Sequence, residues 1–294
     1  MAYLSIIIPV FKEPFLNKTV DSILAGAVTD IEIIPIFDGV EPIEPLRDDP
    51  RIKPIRLDHV GMRGAINAGI KASTGKFLMK TDAHCAFAPG FDKILTDNCA
   101  EDWLVVPRRY SLNENLWDKE ENGRVKDYHY ITFPKQTMWG YGIFPIEWRK
   151  RGLELPEIDD IMTFQGSCWL VNREYFVQHI GLLDAEHYSP FGGEQLEIGL
   201  KYWLGGGQCK VIKSTWYAHL RKTKHHYNTH MFSTLHKRDG PVQEGHEYLA
   251  RHWMGNEEPN MIHEFSWLVE KFWPVPSWPE ERNLWIYPNG KTNS

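Results

Sequence analysis

The chain has 294 residues, of which 42% are hydrophobic and 24% charged, the balance of a folded globular protein, so a mainly disordered state is excluded. A formal net charge of −6 argues against a surface built wholly to hold polyanions. The longest apolar run near the start, Ile6 to Val10, is far short of the ~20 residues of a membrane helix, and Met1-Ala2-Tyr3 carries no basic signal region; the expectation is a soluble, cytoplasmic protein with no membrane partner.

Residues 3–10 form a β-branched run, which predicts a strand buried on both faces and lying mid-sheet. Leu16, Val20, Ile23 and Leu24 predict a helix, and residues 31–37 a second buried strand that runs into Asp38-Gly39. Residues 52–57, 76–81 and 103–107 read as further strands, with a helix over 65–72. This alternation predicts an α/β fold, a Rossmann-like, mainly parallel sheet with helices on both faces, and ligands beyond the carboxyl ends of its strands. The pattern weakens from about 113 to 163, which reads as an insertion on the acceptor side. It returns as a strand over 166–171, a helix over 194–204 and a strand over 208–217 that ends in Ala218-His219. Between Gln208 and His252 eight Lys or Arg stand against three Asp or Glu, so that tract is locally basic. The remainder, with Trp253, Trp267, Trp273, Trp278 and Trp285, predicts an irregular tail. The chain thus divides into a domain over 1–222 and a basic loop with a Trp/Pro-rich tail over 223–294.

Four cysteines, Cys85, Cys99, Cys168 and Cys209, form no C-x-x-C pair, which suits a reducing compartment. Asp82-Ala83-His84 follows a strand directly, and residues two apart in an extended chain project to one side. A carboxylate with an imidazole suits Mn²⁺, or Mg²⁺ when phosphates complete its shell. His219, also at a strand end, is a candidate third ligand. Taken alone, D-x-H is more often a helix-capping aspartate and a surface histidine. His225, His226 and His230 lack the H-E-x-x-H pattern and read as a solvated loop. Asp38 can accept hydrogen bonds from a ribose or base, or simply form a turn. Arg63, in Gly61-Met62-Arg63-Gly64, opens a helix and can meet a diphosphate, although no P-loop is present. Glu194 enters a helix after Gly192-Gly193, as a cleft carboxylate or as an ordinary helix-start acid.

In this order, Ser5-Ile6-Ile7-Ile8-Pro9-Val10-Phe11-Lys12-Glu13, Phe37-Asp38-Gly39, Thr81-Asp82-Ala83-His84-Cys85, Phe191-Gly192-Gly193-Glu194 and the stretch to His219 resemble a GT-A glycosyltransferase of the family 2 type. The D-x-H and G-G-E motifs are closest to polypeptide N-acetylgalactosaminyltransferase catalytic domains, over about residues 3–222. The resemblance implies a UDP-sugar donor and a Mn²⁺ (or Mg²⁺) ion on Asp82, His84 and His219. It implies donor contacts from Pro9, Asp38, Arg63, Gly166, Arg221 and Lys222, with Asp38 near the uridine. Asp82 and Glu194 take the catalytic roles, Glu194 beside sugar and acceptor, and Arg221-Lys222 open a loop that closes over the donor.

Three departures matter. Inverting family 2 enzymes place an aspartate base after the glutamate, where Gln195 stands here, and this favours retention; a basic role for Glu194 restores inversion. Ser167 follows Gly166 where the family has a second glycine, and H-x-x-R has become His219-Leu220-Arg221-Lys222. The acceptor is left open among glycan, protein and modified nucleic acid. Basic residues interleaved with Tyr227, Phe232 and Trp253 suit a modified base in DNA, or a lid over the donor phosphates. A nucleotidyltransferase and a non-catalytic nucleotide-sugar or glycan-binding module are the rival readings.

Overall fold

The computed structural model describes residues 2–152, 156–188, 192–222 and 240–287. The first half alternates as expected: β1 (Leu4–Val10), α1 (Leu16–Gly26), β2 (Ile31–Asp38), β3 (Ile55–Leu57), α2 (Gly61–Ala72), β4 (Phe77–Thr81), β5 (Cys85–Phe87), α3 (Phe91–Asp97) and β6 (Trp103–Asn113). Short strands fill the insertion: β7 (Asp118–Lys119), β8 (His129–Ile131), β9 (Lys135–Thr137), β10 (Gly140–Gly142), β11 (Pro145–Glu147) and β12 (Ile158–Asp160). Then follow β13 (Cys168–Asn172), α4 (Arg173–Tyr175), α5 (Glu194–Leu204), β14 (Gln208–His219), α6 (Gly240–Met254) and α7 (Phe265–Lys271).

The central sheet has the order β12-β14-β6-β13-β4-β1-β2-β3, with β5 paired to β14 and β7 to β6. β1 pairs in parallel with β2 and β4, β2 with β3, and β6 with β14. β13 runs antiparallel to both β4 and β6, so β1 to β4, β6 and β14 all point one way. The mainly parallel sheet is therefore as expected, with β1 in its middle.

Side-chain alternation on the strands feeds two cores. Ile7, Ile34 and Ile36 meet Ile66 and Ile70 of α2 and Leu196, Leu200 and Trp203 of α5 on one face. Ile6, Ile8, Ile33 and Phe37 meet Val20 and Ile23 of α1 and Phe91 and Leu95 of α3 on the other. Helices thus cover both faces, which is why the strands carry apolar residues on both faces rather than on one.

The expected irregular tail is a correction. The tail holds α7, the tract expected as a basic loop holds α6, and Trp253, Phe265, Trp278 and Trp285 are buried in the same core as α2 and α5. Two indole N–H groups inside that core find carbonyls: Trp278 Nε1 donates to Ile131 at 2.8 Å and Trp203 Nε1 to Ile161 at 3.1 Å. Among the described residues no helix is long and apolar enough to cross a membrane.

Candidate active site

Parallel direction brings the ends of β1, β2, β4, β6 and β14 to one edge of the sheet, the edge that binds ligands in open α/β folds. β4 ends at Thr81, and the Asp82 amide then donates to the Ser167 carbonyl at 2.9 Å. The chain turns into β5, which pairs with β14 so that Cys85 stands opposite His219, and the Leu220 amide donates to the His84 carbonyl. This pairing lays the two imidazoles side by side, with ring centres 4.6 Å apart. Asp82 Oδ2 is 3.2 Å from His219 Nε2 and 3.9 Å from His84 Nε2. One candidate ligand atom from each of the three residues lies within 4.8 Å of the others.

Three side chains that sequence reasoning gave no role, Glu13, Lys80 and Arg109, hold this trio, together with Lys222, expected at the donor. Glu13, just past β1, is 6% exposed and sits 3.1 Å from His84 Nδ1. Lys222 Nζ donates to the same Glu13 oxygen at 2.7 Å. Burial would raise the Glu13 carboxyl, but His84 and Lys222 outweigh it and keep it below its ordinary value. An ionised Glu13 fixes the proton of a neutral His84 on Nδ1 and leaves the Nε2 lone pair directed to the Asp82 side, the arrangement that orients a metal-ligating histidine. Lys80 is wholly buried, bonding Asp82 Oδ1 and donating to the Gly166 carbonyl at 2.7 Å. Burial would pull the Lys80 ammonium down, yet Asp82 and Glu194 overcome it and raise it. Burial likewise opposes ionisation of Asp82, but Lys80, His219 and His84 hold its carboxyl well below the usual range.

Arg109 completes the set from β6, its Nη2 3.3 Å from His219 Nδ1. Burial pushes His219 down to about 3 against the pull of Asp82, so the ring is neutral. Since arginine only donates, that ring carries its proton on Nε2, toward Asp82. Coordination through Nε2 requires the proton to move to Nδ1 and Arg109 to give up this contact. An oxygen and two neutral imidazole nitrogens at one rim, one of them oriented by a carboxylate, fit an ion of the Mn²⁺ type.

Glu194 and Gly166 adjoin this group. A Cβ built on Gly166 lies 2.8 Å from Glu194 Oε1 and 3.4 Å from Gln195 Oε1, so the ends of both side chains close on this glycine. Glu194 is 8% exposed, and its Oε2 is buried with no hydrogen-bond partner among the described residues. The turn before it needs two left-handed residues, Gly192 at φ 84° and Gly193 at φ 79°.

The other candidates are placed as follows. Asp38 accepts from the Val60 amide at 2.6 Å and the Gly61 amide at 3.0 Å, so its carboxylate holds the start of α2. Arg63 is buried beneath the Gly192–Gly193 turn, ion-paired with Glu197 and 4.4 Å over the Tyr188 ring. Pro9 stands near the end of β1 opposite Ile36 and is partly exposed; Arg221 is exposed one residue before Lys222. Trp253, expected to offer its ring to a nucleic acid, is instead wholly buried in the core. Tyr227, Phe232, His225, His226 and His230 lie outside the described residues.

Residues 5–179 match the family model described as glycosyl transferase family 2. The chain belongs to that family. Among curated relatives, human polypeptide N-acetylgalactosaminyltransferase 9 is 30% identical over 166 residues, covering 54% of this chain and 26% of the relative. Human polypeptide N-acetylgalactosaminyltransferase 18 is 32% identical over 233 residues, covering 76% of this chain and 34% of the relative. The match therefore spans about a quarter to a third of the length of these relatives. A crystal structure of GalNAc-T7 with UDP, GalNAc and Mn²⁺ superposes with a TM-score of 0.62 at 18% identity, over 87% of this chain and 49% of that one. S. aureus TarS in complex with UDP-GlcNAc gives 0.51 at 12% identity, over 75% and 59%. These structural likenesses concern the fold. This member of family 2 has the GT-A architecture that its sequence motifs implied.

Proposed function

We propose that this family 2 glycosyltransferase moves a sugar from a UDP-linked donor to an acceptor hydroxyl, with retention, and that Asp82, His84 and His219 hold a Mn²⁺ or Mg²⁺ ion for the reaction. The observation that carries the reading is the convergence of those three side chains at the carboxyl edge of the sheet, with Glu13 orienting His84. Structural neighbours solved with UDP or UDP-GlcNAc support a uridine donor. A cation bound there supplies charge stabilisation for the departing nucleoside diphosphate.

The chain's own residues do the rest. Lys80 fixes Asp82 through Oδ1 and leaves Oδ2 to the imidazole side. Lys222, held by Glu13 beside His84, brings a cation to the rim where a diphosphate lies. Glu194, with a buried oxygen that lacks a partner, is the acceptor for a sugar or acceptor hydroxyl. Gln195, also against Gly166, cannot take a proton, which supports retention over inversion. All four cysteines are free, which fits cytoplasmic residence.

Asp82→Ala tests the reading. The variant is expected to lose Mn²⁺-stimulated UDP release from a UDP-sugar, and unaltered release would count against the metal assignment. Release of pyrophosphate instead of UDP identifies a nucleotidyltransferase. Donor binding without any turnover identifies a binding module, and the anomeric configuration of the product, read by NMR, decides retention.

A further inference from the structure

β6 and the chain that follows it bring Arg109 and Lys126 to the face of His219. Arg109 and Ser111 stand opposite Tyr217 and His219 in the β6–β14 ladder, so both project to the His219 face. Arg109 touches His219 Nδ1, and its Nε is buried without a partner. Lys126 is bound through its amide to the Arg109 carbonyl, and its ammonium donates to the Ser111 hydroxyl at 3.0 Å. Burial and Arg109 both push the Lys126 ammonium down, while Glu147 and Glu120 pull the other way. Among the described residues neither Arg109 nor Lys126 forms an ion pair, and Glu147 is engaged by Arg124 at 2.6 Å.

His129 points to the same need. It is 8% exposed, and its Nδ1 has no partner among the described residues. Burial, with Arg109 and Lys126 adding to it, pushes the ring down to about 4, so it is a neutral donor. Thr163 bridges directly to His129, and its hydroxyl is likewise buried and unpartnered. Each buried polar group left in this state costs about 1–3 kcal/mol. A guanidinium, an ammonium and an imidazole N–H are the donors that recognise a phosphate, whose several oxygens can satisfy them together.

We propose that Arg109, Lys126 and His129 form a pocket for a phosphate group carried by the acceptor, beside the metal trio. The word acceptor rests on the glycosyltransferase reading; the pocket itself does not. The donor diphosphate has its own charges at the trio and Lys222, whereas this cluster runs along β6 into the insertion. A cation held by His219 Nε2 would leave Nδ1 protonated and so would free the Arg109 guanidinium from that contact.

The test is calorimetric titration of phenyl phosphate into the whole protein, with and without saturating Mn²⁺ and UDP, alongside UDP affinity. Wild type is expected to bind phenyl phosphate with UDP present, and Lys126→Gln and Arg109→Gln are each expected to weaken it about tenfold or more, the loss of one charged hydrogen bond. His129→Asn reports the imidazole in the same way, and circular dichroism shows whether each variant is folded. Equal affinity in folded variants, or displacement of phenyl phosphate by UDP, overturns the pocket. Phenyl phosphate binding that needs Lys126 while UDP fails to bind at all leaves the pocket standing and removes the UDP-sugar reading.

Discussion

Glu13 shows how much of this site depends on side chains that are not ligands. Its carboxylate sets which nitrogen of His84 carries the proton, and Lys222 keeps it ionised. Glu13→Gln removes the charge that favours Nδ1–H, and the expected outcome is Mn²⁺ affinity lower by about 10–100-fold, the usual effect of losing such a partner. Electron paramagnetic resonance titration of free Mn²⁺ measures it; wild-type affinity in the variant would separate Glu13 from the trio. The proposed ligands, Asp82, His84 and His219, were legible because D-x-H and a strand-end histidine are local patterns. Glu13, the last residue of the run from Ser5, has no such local pattern. Lys80 carried a usable signal, a lysine inside the apolar run Phe77-Leu78-Met79, because a fully buried ammonium must be paired. Arg109 carried none, since nothing in the sequence tells that β6 pairs with β14, which is what puts Arg109 opposite Tyr217 on the His219 face.

At the level of elements, apolar runs and helical stripes located the Rossmann-like half well, and the misses have physical causes. The strand expected from Ile52 shrinks to Ile55–Leu57, with Ile52 reduced to a single bridge to Ile33, because Pro54 interrupts the ladder. α6 falls in the tract expected as a loop, where its buried stripe of Val242, His246, Leu249 and Trp253 is masked by a histidine at an apolar position. Pro241 at its second residue was the missed start signal. α6 also approaches the site: a Cβ on Gly193 lies 3.0 Å from Leu249 Cδ1, and one on Gly142 lies 2.8 Å from the His246 carbonyl oxygen. Gly193→Ala must accept the left-handed backbone as well as that contact, so a loss of about 1–2 kcal/mol is expected from the backbone alone. Urea unfolding checks it, and an unchanged midpoint contradicts the tight turn before Glu194.

For the molecule as a whole, burial of neutral histidines fixes how stability responds to acid. His129 and His246 are buried and pushed down to about 4 by desolvation, His246 also by Arg63. Unfolded, they titrate near 6.5, so between about 6.5 and 4 the unfolded chain binds more protons. Stability is therefore fully present above about 6.5 and falls as pH drops toward 4. Glu32, held at about 2 against its own burial by Lys53, Ser5 and Thr74, adds a loss below about 4.5. Urea midpoints across that range measure the slope, and a flat profile contradicts the burial of the two imidazoles. The tail is part of this whole: its tryptophans close the core under α2 and α5, so the catalytic edge and the last described helices fold as neighbours.

The most direct measurement counts Mn²⁺ ions bound per chain in the presence of UDP, for wild type and for Asp82→Ala, His84→Ala and His219→Ala. One tightly held ion in the wild type, lost in each folded variant, is the expected result. Retention of that ion at wild-type affinity in all three variants would contradict the trio as the metal-holding centre.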